Sequence, residues 1–319
     1  VKPYAGSVFH RRDDWLVTAK GFSRYIWDYE GPLNKQQNSF GQNFPYGLLQ
    51  VFSAGDPVGS KASGYELNKG WDWYHVPGTT APHYPIEKRS KAKVVSSRKA
   101  QGILQKDTHR NYSTKSFLGG VSLGQKNGIF VQDLEGLPFT SPTDLHARKT
   151  YFYVDDLILA LGTDISGGTE NDEIHTTVFQ TYLKDNTIET LVDSNMSSKF
   201  PFEKKFTNKG VFTDAVGNGY FVQSSAPIVF QKTEQESMSE SYKSTKGNYT
   251  SAWINHGLNP KNHNYHYVML PADHDFKIKK VASQPNNFYR ILSQKDGLHV
   301  VAFPKQKITG YAFYDETKS

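Results

Sequence analysis

The stretch TYFYVDDLILALG, residues 150–162, decides the fold class of this 319-residue chain. Two runs of aromatic, β-branched and aliphatic residues flank the pair Asp155–Asp156. Each run has the composition and length of a β-strand, and aspartates between such runs favour a tight turn. The stretch therefore predicts a β-hairpin.

The same pattern recurs along the chain, with Gly, Asn, Asp and Pro between the runs. Further strands are predicted at 15–22, 46–55, 128–136, 175–183, 219–225, 228–234, 265–272, 298–304 and 308–314. Helical periodicity is nearly absent; one short helix is predicted within 288–297, ending before Gly297, and the Ser-rich segment 234–248 is predicted to be a surface loop. The chain is therefore predicted to be all-β, built from stacked antiparallel sheets.

Composition excludes several classes of protein. Cysteine is absent, which removes thiol nucleophiles, disulfides and thiolate metal sites, and no apolar run approaches the roughly 18 residues of a membrane helix. The net charge of +6 suits an acidic partner, whether nucleic acid, anionic glycan or anionic lipid. The alternative is that the chain is simply a slightly basic soluble domain. The chain opens and closes in mid-pattern, so we expect it to be a fragment, and the missing signal peptide decides nothing about localisation.

The first candidate site is the run HRRDDW, residues 10–15. Adjacent arginines can hold a carboxylate or sulfate with forked donors. Because neighbours in a strand point to opposite faces, at most one of Arg11 and Arg12 can face a given cleft. The alternative is a surface ion pair with Asp13 or Asp14.

The second candidate site is WDWYHVPGTT, residues 71–80. If this segment is extended, Trp71 and Trp73 share a face and can stack on sugar rings. The alternative is that both are core residues. His75 is either an acid, base or hydrogen-bonding group or a structural histidine.

Other segments carry weaker signals. His256, His263 and His266 have no carboxylate at metal-binding spacing among them, so no metal site is predicted. The glycines of 115–133 match no phosphate loop and favour turns between strands. The basic run 87–101 is either a solvated charge run or a substrate-facing loop.

Five segments occur in an order that resembles a known family. They are HRRDDWLVTAKGF (10–22), GWDWYHVPGTTA (70–81), FLGGVSLGQKNGIFVQDL (117–134), GNYTSAWINHG (247–257) and ITGYAFY (308–314). Together they resemble the central β-domain of polysaccharide lyase family 8, especially its chondroitin sulfate ABC lyase branch.

The resemblance implies a galactose mutarotase-like supersandwich of antiparallel sheets over residues 1–319, with a helical toroid before it and a smaller β-domain after it in the parent protein. It also implies a monomeric, secreted or periplasmic bacterial enzyme. Such an enzyme cleaves an anionic glycosaminoglycan (chondroitin or dermatan sulfate, or hyaluronan) by β-elimination at uronic acid. No cofactor is required, although a calcium or magnesium ion is an option. Neither nucleic acid nor a membrane is expected as a partner.

The resemblance also suggests residue roles. Arg12 matches the cleft arginine and is the catalytic candidate, with Arg11 and His10 beside it as substrate-binding candidates. Trp71, Trp73 and His75 match a stretch that lines the same cleft. The family's proton-transferring histidine and tyrosine belong to the toroid, so neither role is assigned here, and we expect no turnover from this fragment alone.

One departure from the family pattern concerns a turn that carries a glutamate in the ABC lyases. Here the turn reads Ser122-Leu123-Gly124-Gln125. The glutamate is replaced by Gly124, or deleted with Gln125 in its space as a substrate-binding candidate. The alternative function is therefore a non-catalytic, glycan-binding homologue that has lost this glutamate.

Overall fold

The structure, a computed structural model, describes residues 1–29, 40–84, 112–137 and 144–314. Within these ranges the chain forms three antiparallel sheets and one α-helix, and no helix there is long and apolar enough to cross a membrane. The basic run 87–101 lies outside the described residues.

The strands are numbered in chain order. The N-terminal sheet contains β1 (Ser7–Arg11), β2 (Leu16–Lys20) and β3 (Leu48–Phe52). The large sheet contains β4 (Thr80–Pro82), β5 (Leu118–Leu123), β6 (Asn127–Glu135), β7 (His146–Val154), β8 (Leu157–Ser166), β9 (Glu173–Tyr182), β10 (Thr190–Val192), β11 (Asn195–Ser197), β12 (Phe202–Thr213), β13 (Gly219–Met238), β14 (Ser244–Leu258) and β15 (His263–Leu270). The helix α1 (Lys277–Ser283) precedes the C-terminal sheet of β16 (Arg290–Lys295), β17 (Leu298–Phe303) and β18 (Ile308–Phe313).

The predicted hairpin at 150–162 is confirmed as β7 and β8, with Val154 paired to Leu157 across the turn. Both faces of this hairpin are buried. Tyr151 and Tyr153 point into the main core, whereas Phe152 and Val154 point into a second core. This two-sided burial explains why the segment is apolar almost throughout instead of alternating with polar residues.

The long strand β13 folds the large sheet into layers. Its first part, from Gly219 to Ser224, pairs with β15, and its second part, from Ile228 to Met238, pairs with β14. Between them, residues 225–227 lie opposite a register break in β12 between Phe206 and Asn208. Such a bulge bends a strand, and Pro227 there needs no ladder hydrogen bond. The bend lets β9 and β14 pack over β7 and β8 around the main core.

The second core lies on the other side of β7 and β8. The helix α1 and the C-terminal sheet contribute Ile278, Val281, Val301 and Phe303 to it. The result is a layered, mostly antiparallel β-structure, which confirms the predicted all-β class.

Two predictions of secondary structure are wrong. Residues 288–297 contain β16, which pairs with β17, and not a helix. In the segment 234–248, residues 234–238 and 244–248 form the paired ends of β13 and β14, and only 239–243 form the predicted loop. This polar sequence can still form paired strands, because Lys246 stands opposite Glu236 and forms an ion pair with it. Here a cross-strand charge pair takes the place of apolar burial.

Candidate functional site

Arg12 lies one residue beyond β1, in the loop to β2, and docks onto the turn between β5 and β6. Its guanidinium donates hydrogen bonds to the main-chain carbonyl of Lys126 at 2.5 Å and to that of Arg11 at 3.0 Å. It also lies 5.9 Å from the ring centroid of Trp15. Among the described residues, no ion pair involves Arg11 or Arg12, so the predicted alternative of a pair with a neighbouring aspartate is not seen.

A shallow depression lies beside Arg12 between β1 and the β5–β6 turn. The side chains of Arg11, Gln125 and Asn127 contribute to its wall, and the ring of Tyr153 contributes to its floor. Arg11 and Gln125 are exposed, so their polar groups face solvent. The structure thus brings Gln125 close to Arg11 and Arg12, although it is more than a hundred residues from both arginines in sequence.

His10 also borders the depression, but it is a packed residue. Its ring is 7% exposed and lies 5.3 Å from Tyr153 and 5.4 Å from Trp15. Its Nε2 lies 2.8 Å from the carbonyl oxygen of Asp155, so this nitrogen carries the proton and donates. Burial lowers the pKa of His10 despite that hydrogen bond. This packing gives His10 a structural position and argues against the predicted contact with substrate.

Three loops meet at this depression. Besides the bonds of Arg12 and His10, the side-chain oxygen of Asn127 accepts a hydrogen bond from the backbone N–H of Asp155 at 3.1 Å. The β7–β8 turn therefore fixes both the end of β1 and the start of β6. The candidate side chains therefore lie at strand ends and in short connections that these hydrogen bonds hold together.

Gly124 occupies the turn position that the family resemblance assigns to a glutamate. It adopts φ +56°, and Gln125 follows with φ +57°. A Cβ built on Gly124 would meet no atom within 4 Å. The turn has room for a side chain there, and Gln125 carries the nearest polar side chain in the sequence.

Glu135 does not replace the missing carboxylate. It ends β6, eight residues beyond Asn127, which corresponds to roughly 26 Å along an extended strand. Its carboxylate accepts hydrogen bonds from the Ser113 hydroxyl and from the backbone and hydroxyl of Thr114. Burial favours a higher pKa for Glu135, but these hydrogen bonds outweigh it and lower the pKa.

The two tryptophans of 71–80 are core residues. Trp71 and Trp73 are 0% and 2% exposed, and they pack with Phe40, Tyr65 and Tyr249. The indole N–H of Trp73 donates to the carbonyl of Met238 at 2.8 Å. The segment is irregular and not extended, so the predicted sugar-stacking face does not form, and the core alternative describes both side chains.

His75 is 4% exposed and lies in a cluster with His83 and His175, away from the wall of the depression beside Arg12. Its predicted contact with substrate is therefore not supported. No sequence pattern predicts this cluster, because His175 lies on β9, one hundred residues beyond His75.

Comparison with known proteins identifies the family. The model for the super-sandwich domain of polysaccharide lyase family 8 matches residues 5–282. The chain belongs to polysaccharide lyase family 8. The resemblance inferred from the sequence is thus confirmed.

Several relatives of this family 8 chain are chondroitin sulfate ABC lyases. A chondroitin sulfate ABC exolyase from Bacteroides thetaiotaomicron is 30% identical over 97% of this chain and 29% of its own length. A chondroitin sulfate ABC endolyase from Proteus vulgaris is 26% identical over 98% of this chain and 30% of its own length. The chain therefore spans under a third of the length of these curated relatives.

Solved structures support the family 8 fold. A Paenibacillus xanthan lyase superimposes with a TM-score of 0.76 at 19% identity, over 98% of this chain and 28% of that chain. A chondroitinase AC lyase gives a TM-score of 0.76 at 20% identity, over 97% of this chain and 42% of that chain. At these identities the likeness shows the fold and not the activity.

Proposed function

We propose that this chain forms the β-domain wall of the substrate cleft in a glycosaminoglycan lyase, which cleaves chondroitin or dermatan sulfate, or hyaluronan, by β-elimination at uronic acid. The observation that carries the proposal is the docking of Arg12 onto the β5–β6 turn, beside exposed Arg11 and Gln125. The names of the family 8 relatives, chondroitin sulfate ABC lyases among them, support the choice of substrate.

The local charge suits an anionic polymer. Arg11, Arg12 and Lys126 place three cationic side chains around one turn and one strand end. Guanidinium groups bind carboxylates and sulfates with two parallel N–H donors, which orients the anion as well as attracting it. Asp13 and Asp14, exposed in the same loop, would limit how far the positive field extends.

The reaction explains why an arginine is useful there. Removal of the C5 proton of a uronic acid builds negative charge on the adjacent carboxylate, and the bond to the leaving O4 then breaks to give a C4–C5 double bond. A fixed guanidinium stabilises that developing charge more than the ground state. Arg12 is held by two main-chain carbonyls, so it is oriented before substrate arrives.

The depression itself supplies no general base among its described side chains. Burial raises the pKa of Tyr153 well above its usual value, and burial lowers the pKa of His10, which makes its Nδ1 a weaker base. We therefore propose that proton transfer uses groups elsewhere in the full-length protein, while this chain binds and orients the uronate.

A second candidate function is glycan binding without turnover. The observation that favours it is Gly124 in the turn to which the family resemblance assigns a glutamate. Loss of a single acid–base group typically lowers a rate about 10²–10⁴-fold while leaving binding residues in place. Such a protein would still bind an anionic glycan through Arg11 and Arg12.

The deciding experiment incubates the full-length gene product separately with chondroitin sulfate, dermatan sulfate and hyaluronan. The ultraviolet absorbance of the unsaturated uronate product is followed. We expect it to rise with at least one polymer. Binding to immobilised glycan with no absorbance change on any polymer would establish the second function instead, and absence of both would reject both. Because these polymers lie outside cells, we also propose export of the protein from the cytoplasm.

A further inference from the structure

Two buried histidines from distant parts of the chain meet edge to edge. His75 belongs to the irregular segment before β4, and His175 lies on β9. Nε2 of His75 lies 2.9 Å from Nδ1 of His175, and the two ring planes differ by 19°. A third ring, that of His83, stacks on both, with its centroid 4.2 Å from that of His75 and 5.0 Å from that of His175. One proton fits between the two facing nitrogens, so one of them donates and the other accepts.

Carboxylates lie beside the outer nitrogens of this histidine pair. Nε2 of His175 lies 3.3 Å from Oε2 of Glu173, and Nδ1 of His75 lies 3.4 Å from Oδ2 of Asp72. The hydrogen bond from His175 lowers the pKa of Glu173, so this carboxylate is ionised at neutral pH. An ionised carboxylate accepts hydrogen bonds and donates none, so we expect a proton on each outer nitrogen.

These contacts set the number of protons on the pair. One proton lies on each outer nitrogen and one lies between the inner nitrogens, which gives three protons on two rings. Two neutral imidazoles hold only two. With two protons, a lone pair of His75 or of His175 would face a carboxylate oxygen. Three protons give the pair one positive charge.

The surroundings suit one positive charge and resist a second. Trp253 on β14 stacks on His75 and His175 with centroid distances of 4.6 and 5.7 Å, and an indole face attracts a cation. Burial lowers the pKa of His175, although the hydrogen bond to Glu173 raises it. The single charge therefore lies mainly on His75, which donates its inner proton to neutral His175.

Two further histidines lie near the pair in the part of the chain that the structure describes. Nε2 of His83 lies 2.8 Å from Oδ2 of Asp72, so His83 donates to the same carboxylate as His75. His256 on β14 has its Nε2 2.8 Å from the hydroxyl of Thr176, and burial lowers its pKa well below the usual value, so it stays neutral. The carboxylates of Asp72 and Glu173 both favour the extra proton on the pair.

We propose that His75 and His175 form a pH-sensitive lock, which holds one extra proton at neutral pH and releases it at alkaline pH. The proton ties segment 72–83 to β9, where Gln180 also bonds the backbone of Asp72 and His75. Once this segment opens, its histidines regain the usual pKa of about 6.5 and hold no such proton above that pH. The closed state therefore binds one more proton above about pH 6.5, and it loses stability as the pH rises. The lock is independent of the glycan-binding residues.

Hydrogen exchange of the full-length protein, followed by mass spectrometry, tests the lock. Protection of the amides in segment 72–83, corrected for the intrinsic exchange rate at each pH, should fall by up to about tenfold per pH unit above about pH 7. The hairpin at 150–162 is the internal reference and should keep its protection. Protection in 72–83 that is independent of pH would overturn the proposal.

Variants decide whether the histidine pair causes this effect. His75→Gln should abolish the pH dependence. Glu173→Gln, at a side chain that is 51% exposed, keeps an acceptor for His175 but removes the charge, so the loss of protection should begin at lower pH. His146→Gln is the matched control, since His146 also lies beside a carboxylate, 3.2 Å from Asp164, but outside the cluster, and its profile should equal that of the unaltered protein. An unaltered profile in both His75→Gln and Glu173→Gln would overturn the proposal.

The proton itself can be observed by nuclear magnetic resonance of the full-length protein labelled with ¹⁵N in histidine. At pH 7 we expect one strongly deshielded N–H proton coupled to two ring nitrogens, and the same signal should be absent from His75→Gln. Nitrogen shifts of two neutral imidazoles at pH 7 would show that the pair holds only two protons, and would reject the lock.

Discussion

The guanidinium of Arg12 donates to the main-chain carbonyl of Lys126 across 114 residues of sequence. This bond joins the β1–β2 loop to the β5–β6 turn, and the two segments belong to different sheets. The turn is also the one to which the family resemblance assigns a glutamate, and which here contains Gly124 and Gln125. The proposed anion-binding arginine and the altered turn are therefore one structural unit.

Arg12→Ala should lower kcat/KM of the full-length protein about 10- to 150-fold, because a charged hydrogen bond to substrate contributes about 1.5–3 kcal/mol. The fold should remain, since the side chain packs on the surface. Arg12→Lys should recover only part of the loss, because an ammonium lacks the forked donors. Activity on the preferred polymer and circular dichroism are measured for each variant.

Arg290→Ala is the matched control for this prediction. Arg290 is exposed and, like Arg12, donates to a main-chain carbonyl, that of Asn286, but it lies on the C-terminal sheet. Its kinetics should equal those of the unaltered protein. Near-normal kinetics in Arg12→Ala would remove Arg12 from the proposed site.

Trp73→Phe tests whether the tryptophans of 71–80 are core residues or sugar-stacking residues. Phenylalanine keeps most of the packing against Phe40 but loses the hydrogen bond to the Met238 carbonyl. We expect a loss of about 1–2 kcal/mol in the free energy of unfolding, with KM unchanged. Urea denaturation and steady-state kinetics measure the two effects. A raised KM at unchanged stability would restore the stacking role.

The strands were predictable because their apolar runs and turn residues are local signals. The hairpin at 150–162 shows this, since Asp155 takes a left-handed φ of +52° and both flanking runs pair as expected. The polar hairpin of β13 and β14 was missed, because cross-strand charge pairs such as Glu236–Lys246 have no apolar period.

The candidate site was predictable only in part, because the sequence does not show which side chains are buried. An aromatic run such as WDWYH has the same sequence pattern whether its rings face a cleft or a core. Only the tertiary packing of Trp71 against Tyr249 shows that this ring lies in the core. The meeting of His75 with His175 depends on pairing between β4 and β9. The role of Arg12 stays a prediction, because it comes from the family resemblance of the charged run and not from the run alone.

The buried histidine His299 should make the stability of this domain depend on pH. It is fully buried between two hydroxyls, with Nδ1 2.7 Å from the Thr150 hydroxyl and Nε2 2.9 Å from that of Thr163. Burial lowers its pKa to about 3. The unfolded chain, with a histidine pKa of about 6.5, therefore binds one more proton than the folded chain between these values.

It follows that the contribution of neutral His299 to the free energy of unfolding is complete above about pH 6.5. This contribution is lost as the pH falls toward the pKa of His299 in the folded chain. His299→Gln keeps a hydrogen-bonding side chain and removes this proton. Between about pH 6 and pH 4, the slope of unfolding free energy against pH should decrease by up to about 1.4 kcal/mol per unit. Urea denaturation at several pH values measures the slope; an identical slope in both proteins would contradict the assignment.

Gly124→Glu should increase turnover at least about tenfold relative to Gly124→Ala, because a positioned acid or base contributes about 10²–10⁴-fold to a rate and the turn has room for the side chain. Both substitutions share the strain of a non-glycine residue at φ +56°, about 1 kcal/mol, so their comparison isolates the carboxylate. Gly124→Gln supplies the same length without the charge and should behave as Gly124→Ala does. Initial rates on the three polymers, with equal folded fractions confirmed by circular dichroism, give the measurement. Equal rates for the Glu, Gln and Ala variants would mean that the site does not use a carboxylate in this turn, and that the cleft functions through Arg12 and groups outside it.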